Sequence, residues 1–261
     1  MLSILIPTFN YNTYPLVLEL KRQCDAISNF SYEIIVNDDA STNDHENTLL
    51  NKLPNCYYFK QIKNQGLSAS RNFLIEKASF NWCLFLDDDV WPKTNNYIET
   101  YKNCIQKNTK QSLFFGGLKY TEVKPNVNEL LRWLYGNAHE ALSFEKRLTN
   151  KPKHFLCSNI FVEKTLLIQY KFPTEIKTYG YEDLIFNLNL IKDHVPIFQI
   201  DNPVFHEKLD TSEIYLKKTQ KALDNLSLSL NQGLLNDNDT KISKIRAKFK
   251  NKIFSKLVVI S

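Results

Sequence analysis

Three times in the first 90 residues a short apolar run stops abruptly at polar or acidic residues. Residues 2–6 end at Pro7-Thr8-Phe9-Asn10, residues 32–36 run into Asp38-Asp39, and residues 82–86 run into Asp87-Asp88-Asp89. Runs of this length with abrupt polar ends read as strands buried on both faces. Helical spacing fills the intervals. Leu16, Leu20, Cys24 and Ile27 share a face over 14–27, and Leu67, Leu74 and Ala78 share one over 66–78. A short helix at 46–53 and a strand at 56–59 fit between them, and Pro92 suits the first position of a helix running to about residue 107. This alternation predicts an α/β fold with an open, mostly parallel central sheet flanked by helices. Ligands of such sheets bind beyond the carboxyl ends of the strands, where the three polar clusters lie.

The pattern then loosens. A strand is predicted at 113–118, a helix at 127–146, a strand at 155–162, a helix at 181–192, a strand at 196–200 and a helix at 212–232. The chain is 43% hydrophobic and 23% charged, which excludes disorder, and six glycines without a period exclude a collagen-like chain. The net charge of +5 suggests nucleic acid until it is divided along the chain. Residues 241–261 hold seven Lys and Arg and no acid, which leaves −2 for residues 1–240. The body is slightly acidic, so no nucleic-acid partner is expected. Five cysteines, with no CxxC pair, fit a reducing cytoplasm better than a disulfide framework. The N-terminus lacks the basic segment of a signal peptide, and no stretch approaches the roughly 20 apolar residues of a spanning helix.

The acidic clusters carry the chemistry. Three adjacent carboxylates repel one another, and oxygen-only ligands suit Mg²⁺ or Mn²⁺ bridged to phosphates. Asp87 and Asp89 are two apart, so both can face one side of an extended segment. The plainer reading of the run is a solvated acidic turn. Asp38-Asp39 is either a turn that caps the next segment, or a carboxylate accepting from a base or sugar. GxGxxG, a P-loop and GxSxG are all absent.

The ordered set SILIPTFN, EIIVNDDAST, KNQGLSASRN and FLDDDVWP, followed by YGYEDLIFNL and NPVFHE, resembles family 2 glycosyltransferases of the GT-A fold over roughly residues 1–207. The resemblance implies a nucleotide-sugar-binding half at 1–115, an acceptor-binding and catalytic half of the same domain at 116–235, and a basic tail at 236–261. It implies that Pro7, Phe9 and Asn10 line the base and ribose. Asp39, with Asp38 beside it, would accept from a uracil-like ring, and Ser68 and Arg71 would point at the nucleotide. Asp87 and Asp88 would contact ribose and donor sugar. Asp89, with Asp87 and His206, would hold Mn²⁺ or Mg²⁺. Asp183 matches the catalytic base, helped by Glu182, and Cys157-Ser158-Asn159 lies where the family builds its acceptor pocket. Ala40 and Asn189 depart from the usual Gly and Arg, and no QxxRW follows, which points to single addition.

The reaction implied is inverting transfer from a nucleotide-sugar donor, a UDP-sugar, to a glycan or lipid-linked acceptor in surface polysaccharide synthesis. The alternatives are a binding subunit without catalysis and a sugar nucleotidyltransferase. In the tail, Ile242, Ile245, Phe249, Ile253, Leu257 and Ile260 form one helical stripe among lysines. That pattern fits peripheral contact with the inner face of the cell membrane, or packing on the fold. His139 and His154 are expected to be structural.

Overall fold

The computed structural model describes residues 1–43, 46–107, 111–149 and 155–258. His154 and Ile260 lie outside them, and the side chains of Ile253 and Leu257 are not among those described. Strand β1 (Leu2–Thr8) pairs in parallel with β2 (Tyr32–Asp38) and β4 (Trp82–Leu86), and β3 (Cys56–Lys60) extends the sheet beyond β2. Beyond β4 lie β8 (Asn159–Glu163), β6 (Leu113–Phe115) and β9 (Ile197–Gln199), in the order β3-β2-β1-β4-β8-β6-β9. β8 is antiparallel to both neighbours, and β6 is parallel to β9. The sheet is mostly parallel, as expected.

Every residue of β1 and β2 is buried. Leu2, Ile4 and Ile6 face one way, onto Leu16, Val17 and Leu20 of α1 (Tyr14–Asp25). Leu5 and Ile35 face the other way, toward Leu74 and Ile75 of α2 (Leu67–Lys77). Helices on both faces explain why these strands read as unbroken apolar runs. Register fixes the site: Thr8 lies opposite Asp38, and Leu5 opposite Phe85. All three polar clusters therefore emerge at one edge of the sheet.

A second, three-stranded sheet was not foreseen. β10 (Val204–His206) runs antiparallel to β5 (Val90–Pro92), with His206 opposite Val90, and parallel to β7 (Leu118–Lys119). Pro92 therefore ends an edge strand, which its missing N–H permits, and α3 (Tyr97–Lys107) begins five residues later. The helix predicted at 127–146 is two helices, α4 (Leu130–His139) and α5 (Phe144–Thr149). They are separated where Glu140 turns inward to Arg132 and Tyr120. Residues 155–158 are not strand, because the backbone turns there to bring the Cys157 N–H to Asp183. Residues 46–52 form a 3₁₀ rather than an α-helix.

The remaining helices are α6 (Lys164–Gln169), α7 (Glu182–Lys192), α8 (Ser212–Asn231) and α9 (Lys241–Val258). The first turn of α9 is tied down. Ser243 is buried and its hydroxyl donates to the Asp237 carbonyl at 3.0 Å. Ile242, Ile245 and Phe249 stay exposed.

Candidate active site

Asp87 directly follows β4, and Asp88 and Asp89 form a tight turn rather than an extended segment, which corrects the expectation that Asp87 and Asp89 share one side. The three carboxylates of the run diverge. Asp88 accepts from the Thr8 hydroxyl at 2.7 Å and from the Phe9 N–H at 3.4 Å. Burial, and then the charge of Asp89, push its carboxyl up to about 8. Asp87 accepts from the Arg71 guanidinium at 3.3 Å. Burial raises its carboxyl to about 6 against the pull of Arg71, while a third of the side chain still meets solvent. Asp89 alone turns toward His206, with 3.7 Å between the carboxylate oxygen and Nε2.

His206 lies flat against Tyr120, with ring centroids 5.2 Å apart and planes 15° from parallel. Burial lowers its imidazole below the usual value, which keeps it neutral and leaves a lone pair for a metal. Its buried Nδ1 has no hydrogen-bond partner. Two atoms that ligate one ion at about 2.1 Å, some 90–120° apart, stand roughly 3.0–3.7 Å from each other. The Asp89–His206 separation fits that requirement. No group of three or more His, Cys, Asp or Glu is gathered as a metal cage among the described residues. A metal held here needs oxygens from a ligand, as hard cations on phosphates commonly do. Asp87, occupied by Arg71, does not join Asp89 and His206 as a third ligand.

The start of α7 is built with strain. Gly180 has φ 107° and Tyr181 φ 75°, and a bulky residue in the left-handed region costs on the order of 1–3 kcal/mol. The bend brings Glu182 and Asp183 back toward the sheet edge. Glu182 accepts from the Gly180 N–H at 3.0 Å and from Arg71 at 3.4 Å. Asp183 accepts from Arg71 through one oxygen and from the Cys157 N–H, at 3.0 Å, through the other. Burial, reinforced by the Asp183 charge, pushes the Glu182 carboxyl up to about 7.

Arg71 is the hub of this arrangement. It is 2% exposed, lies 5.2 Å from the Phe172 ring centroid, and bonds Asp87, Glu182 and Asp183. The sequence reading directs it at the nucleotide; in this structure its guanidinium is held by these three carboxylates, and its Nε has no partner. It ties the donor side of the site to the predicted base across 112 residues of sequence.

The other predicted residues divide. Phe9 is exposed beside the cleft. Asn10, at φ 54°, accepts from the Thr42 N–H at 2.8 Å and shapes that loop. Pro7 is buried inside β1, opposite Asn37, and gives no surface to a ligand. Both Asp38 oxygens are engaged, by the Ser41 N–H at 2.7 Å and the Tyr58 hydroxyl at 2.6 Å. Asp39 accepts from the Gln65 and Gly66 N–H groups, both at 2.8 Å, and burial raises its carboxyl. It also lines a cleft of about 420 Å³ with Asn37, Gln61 and Phe73. That cleft contains neither Asp89 nor Asp183.

Ser68 is buried and its hydroxyl is unpartnered. The Cys157 and Ser158 side chains are buried, so what this turn offers Asp183 is the Cys157 backbone N–H. Asn159 is no acceptor contact: it accepts from the Tyr97 and Tyr101 hydroxyls and donates to the Gly117 and Asn202 carbonyls. Sequence reasoning missed Thr8, Tyr58, Tyr120 and the Arg132–Glu140 pair, which fix Asp88, Asp38 and His206. A lone Thr or Tyr carries no periodic signal that would single it out.

Residues 3–165, well over half of the chain, match the sequence profile described as Glycosyl transferase family 2. The chain belongs to this family. Among curated glycosyltransferases, GalNAc(5)-diNAcBac-PP-undecaprenol beta-1,3-glucosyltransferase of Campylobacter jejuni is 30% identical over 135 residues, 44% of this chain and 42% of that protein. Glycosyltransferase GlyA of Streptococcus pneumoniae is 28% identical over 111 residues, 40% of this chain and 15% of that protein. The matched region thus spans less than half the length of these relatives.

Solved structures show the same fold at low identity. Glucosyl-3-phosphoglycerate synthase of Mycobacterium tuberculosis, solved with Mn²⁺, UDP and glucosyl-3-phosphoglycerate, has a TM-score of 0.56 at 15% identity, covering 85% of this chain and 77% of that one. The mannosyltransferase PcManGT of Pyrobaculum calidifontis, in complex with GDP-Man and Mn²⁺, gives 0.55 at 14%, covering 79% and 56%. S. aureus TarS 1-349 in complex with UDP gives 0.51 at 18%, covering 80% and 59%. The α/β fold with a mostly parallel sheet is that of these GT-A structures.

Proposed function

We propose that this chain is an inverting glycosyltransferase that moves a sugar from a nucleoside-diphosphate donor, a UDP-sugar, to a hydroxyl of a glycan or lipid-linked acceptor in surface polysaccharide synthesis. One observation carries the reading: a candidate metal pair, Asp89 and His206, and a candidate base, Asp183, border the same strand ends, joined through Asp87 and Arg71. The names of relatives support donor and acceptor class, since one acts on an undecaprenol-linked glycan and another is solved with UDP.

Phe9 would wall the nucleotide, with Asp39 facing its base from the neighbouring strand. Asp89 and His206 would hold Mn²⁺ or Mg²⁺, which when bound neutralises the charge growing on the departing diphosphate. The protein's own groups do the rest. Asp183 accepts the proton of the acceptor hydroxyl as that oxygen bonds to the anomeric carbon. The bond from that carbon to the diphosphate oxygen breaks on the opposite face, so configuration inverts. Arg71 and the Cys157 N–H orient the Asp183 carboxylate, and an oriented base is worth more than a mobile one. Glu182, its carboxyl raised by burial and by the Asp183 charge, sits beside Asp183.

The tail belongs to location rather than chemistry. Ile242, Ile245 and Phe249 are exposed on a helix otherwise rich in lysine, the pattern of a peripheral membrane contact at the cytoplasmic face. No described helix is long and apolar enough to cross a membrane. The test of donor and metal is a thermal-shift panel of UDP, GDP and their sugars with and without Mn²⁺. The proposal expects stabilisation by uridine ligands that requires Mn²⁺ and is lost in Asp89→Ala. Equal stabilisation without metal, or none by any uridine ligand, would overturn it.

A further inference from the structure

Four tyrosines from three separate elements gather around the turn that leads into Glu182-Asp183, and the donor-side chemistry uses none of them. Tyr135 comes from α4, Tyr215 from α8, and Tyr179 and Tyr181 from the strained turn that opens α7. The Tyr135 and Tyr215 ring centroids are 5.6 Å apart. Lys218, one turn beyond Tyr215, lies 5.4 Å from the Tyr179 ring centroid. Arg132 spans the back of the group, 5.5 Å from Tyr215 and 5.3 Å from Tyr120, whose ring backs His206. The cluster is thus contiguous with the metal pair on one side and, through residues 179–183, with the candidate base on the other.

Tyr135 and Tyr179 are each 44% exposed. Aromatic rings that are open on one face and rimmed by hydrogen-bonding groups suit a ligand that is apolar on its faces and polar at its edges. A pyranose has that character: C–H groups on its faces, hydroxyls at its rim. The turn adds an independent argument. Tyr181 keeps φ 75° at an energetic cost, and Gly180 approaches Ala222 of α8 too closely to allow a β-carbon. The backbone is held in a conformation that sets tyrosines on either side of Gly180, next to Asp183. Strain retained at such a place marks a functional turn.

We propose that Tyr135, Tyr179, Tyr181 and Tyr215 form the acceptor subsite, a tyrosine platform on which a pyranose ring of the acceptor glycan stacks with one hydroxyl toward Asp183. This rests on the transferase reading given above and extends it to residues that no comparison assigns.

Saturation-transfer NMR tests it, with the methyl glycosides of glucose, galactose, N-acetylglucosamine and N-acetylgalactosamine, each at millimolar concentration with UDP and Mn²⁺. The wild-type protein is expected to transfer saturation to at least one glycoside. Its Kd should rise at least fivefold in Tyr135→Leu and in Tyr179→Leu, while UDP affinity stays within twofold. Tyr57→Leu, at a 47% exposed tyrosine on β3, should change neither. The proposal is overturned if no glycoside receives saturation, if both platform variants bind as wild type does, or if Tyr57→Leu weakens binding equally. Absence of UDP binding by the wild type would instead sink the transferase reading itself, so the two failures are told apart.

Discussion

Removing the Arg71 guanidinium tests how the site is held together. Arg71→Met keeps an unbranched stem against Phe172 but strips the positive charge from Asp87, Glu182 and Asp183. Breaking a buried ion pair by deleting one partner costs roughly 3–5 kcal/mol, because the other partner stays buried and uncompensated. Solvent reaches a third of Asp87 and a quarter of Asp183, which argues for the lower end, about 3 kcal/mol. A chain of this size loses about 2–4 °C of Tm per kcal/mol, so the melting point should fall by roughly 6–12 °C at pH 8.

The pH dependence sharpens the test. Glu182 and Asp87 already sit at about 7 and about 6 in the native protein. Without Arg71 their native values rise further. A carboxyl whose native value is raised binds protons more readily when folded, so its penalty fades as pH falls. The gap between Arg71→Met and wild type should therefore narrow below about pH 6. Urea denaturation at pH 5.5 and 8 reads both effects. A loss under 1 kcal/mol at pH 8, or a gap that widens toward acid, would refute the hub.

Three further outcomes follow from the same contacts. Glu182→Gln removes a carboxyl raised from 4.5 to about 7, so the variant should lose less stability than wild type between those pH values, by up to about 3 kcal/mol in urea titrations. Asn159→Ala takes the shared amide from the Tyr97 and Tyr101 hydroxyls and the Asn202 carbonyl in the core, while the Gly117 carbonyl keeps the Val204 N–H; a buried group left unsatisfied costs about 1–3 kcal/mol, so a drop of roughly 2 kcal/mol is expected in the same assay. Deleting residues 241–261 should abolish co-flotation with anionic liposomes without changing UDP binding, and about 0.5 M NaCl should release the intact protein, since charge attraction is screened within a few Å there.

Much of the fold was legible because buried parallel strands announce themselves as apolar runs with polar ends. β1, β2 and β4 lie where those runs stand, and their register brings the three clusters to one edge. The three-stranded sheet was illegible because strands of two or three residues, such as Leu118–Lys119 and Val204–His206, carry no measurable periodicity. His206 stood out only through resemblance; its place beside Asp89 depends on a pairing with β5 more than 100 residues away. The carboxylate partners of Arg71 were illegible for a related reason. Its helix was placed correctly, but its partners are 16, 111 and 112 residues distant, and a lone basic residue on a helix says nothing of which carboxylates it will meet. The Asp87–Asp89 run failed for the opposite reason: period-2 reasoning was applied to residues that form a turn.

The central claim is that Asp183 takes a proton during sugar transfer from a uridine donor. The most direct measurement is UDP release from a panel of UDP-sugars with Mn²⁺ and an undecaprenyl-linked or free glycan acceptor, for wild type and Asp183→Asn side by side. The account predicts acceptor-dependent UDP release by the wild type. Asp183→Asn should lower it roughly 10²–10⁴-fold while still binding UDP and Mn²⁺, at the level expected for loss of a positioned base. An Asp183→Asn enzyme that turns over at the wild-type rate, or a wild type that releases UDP from no donor, would contradict it.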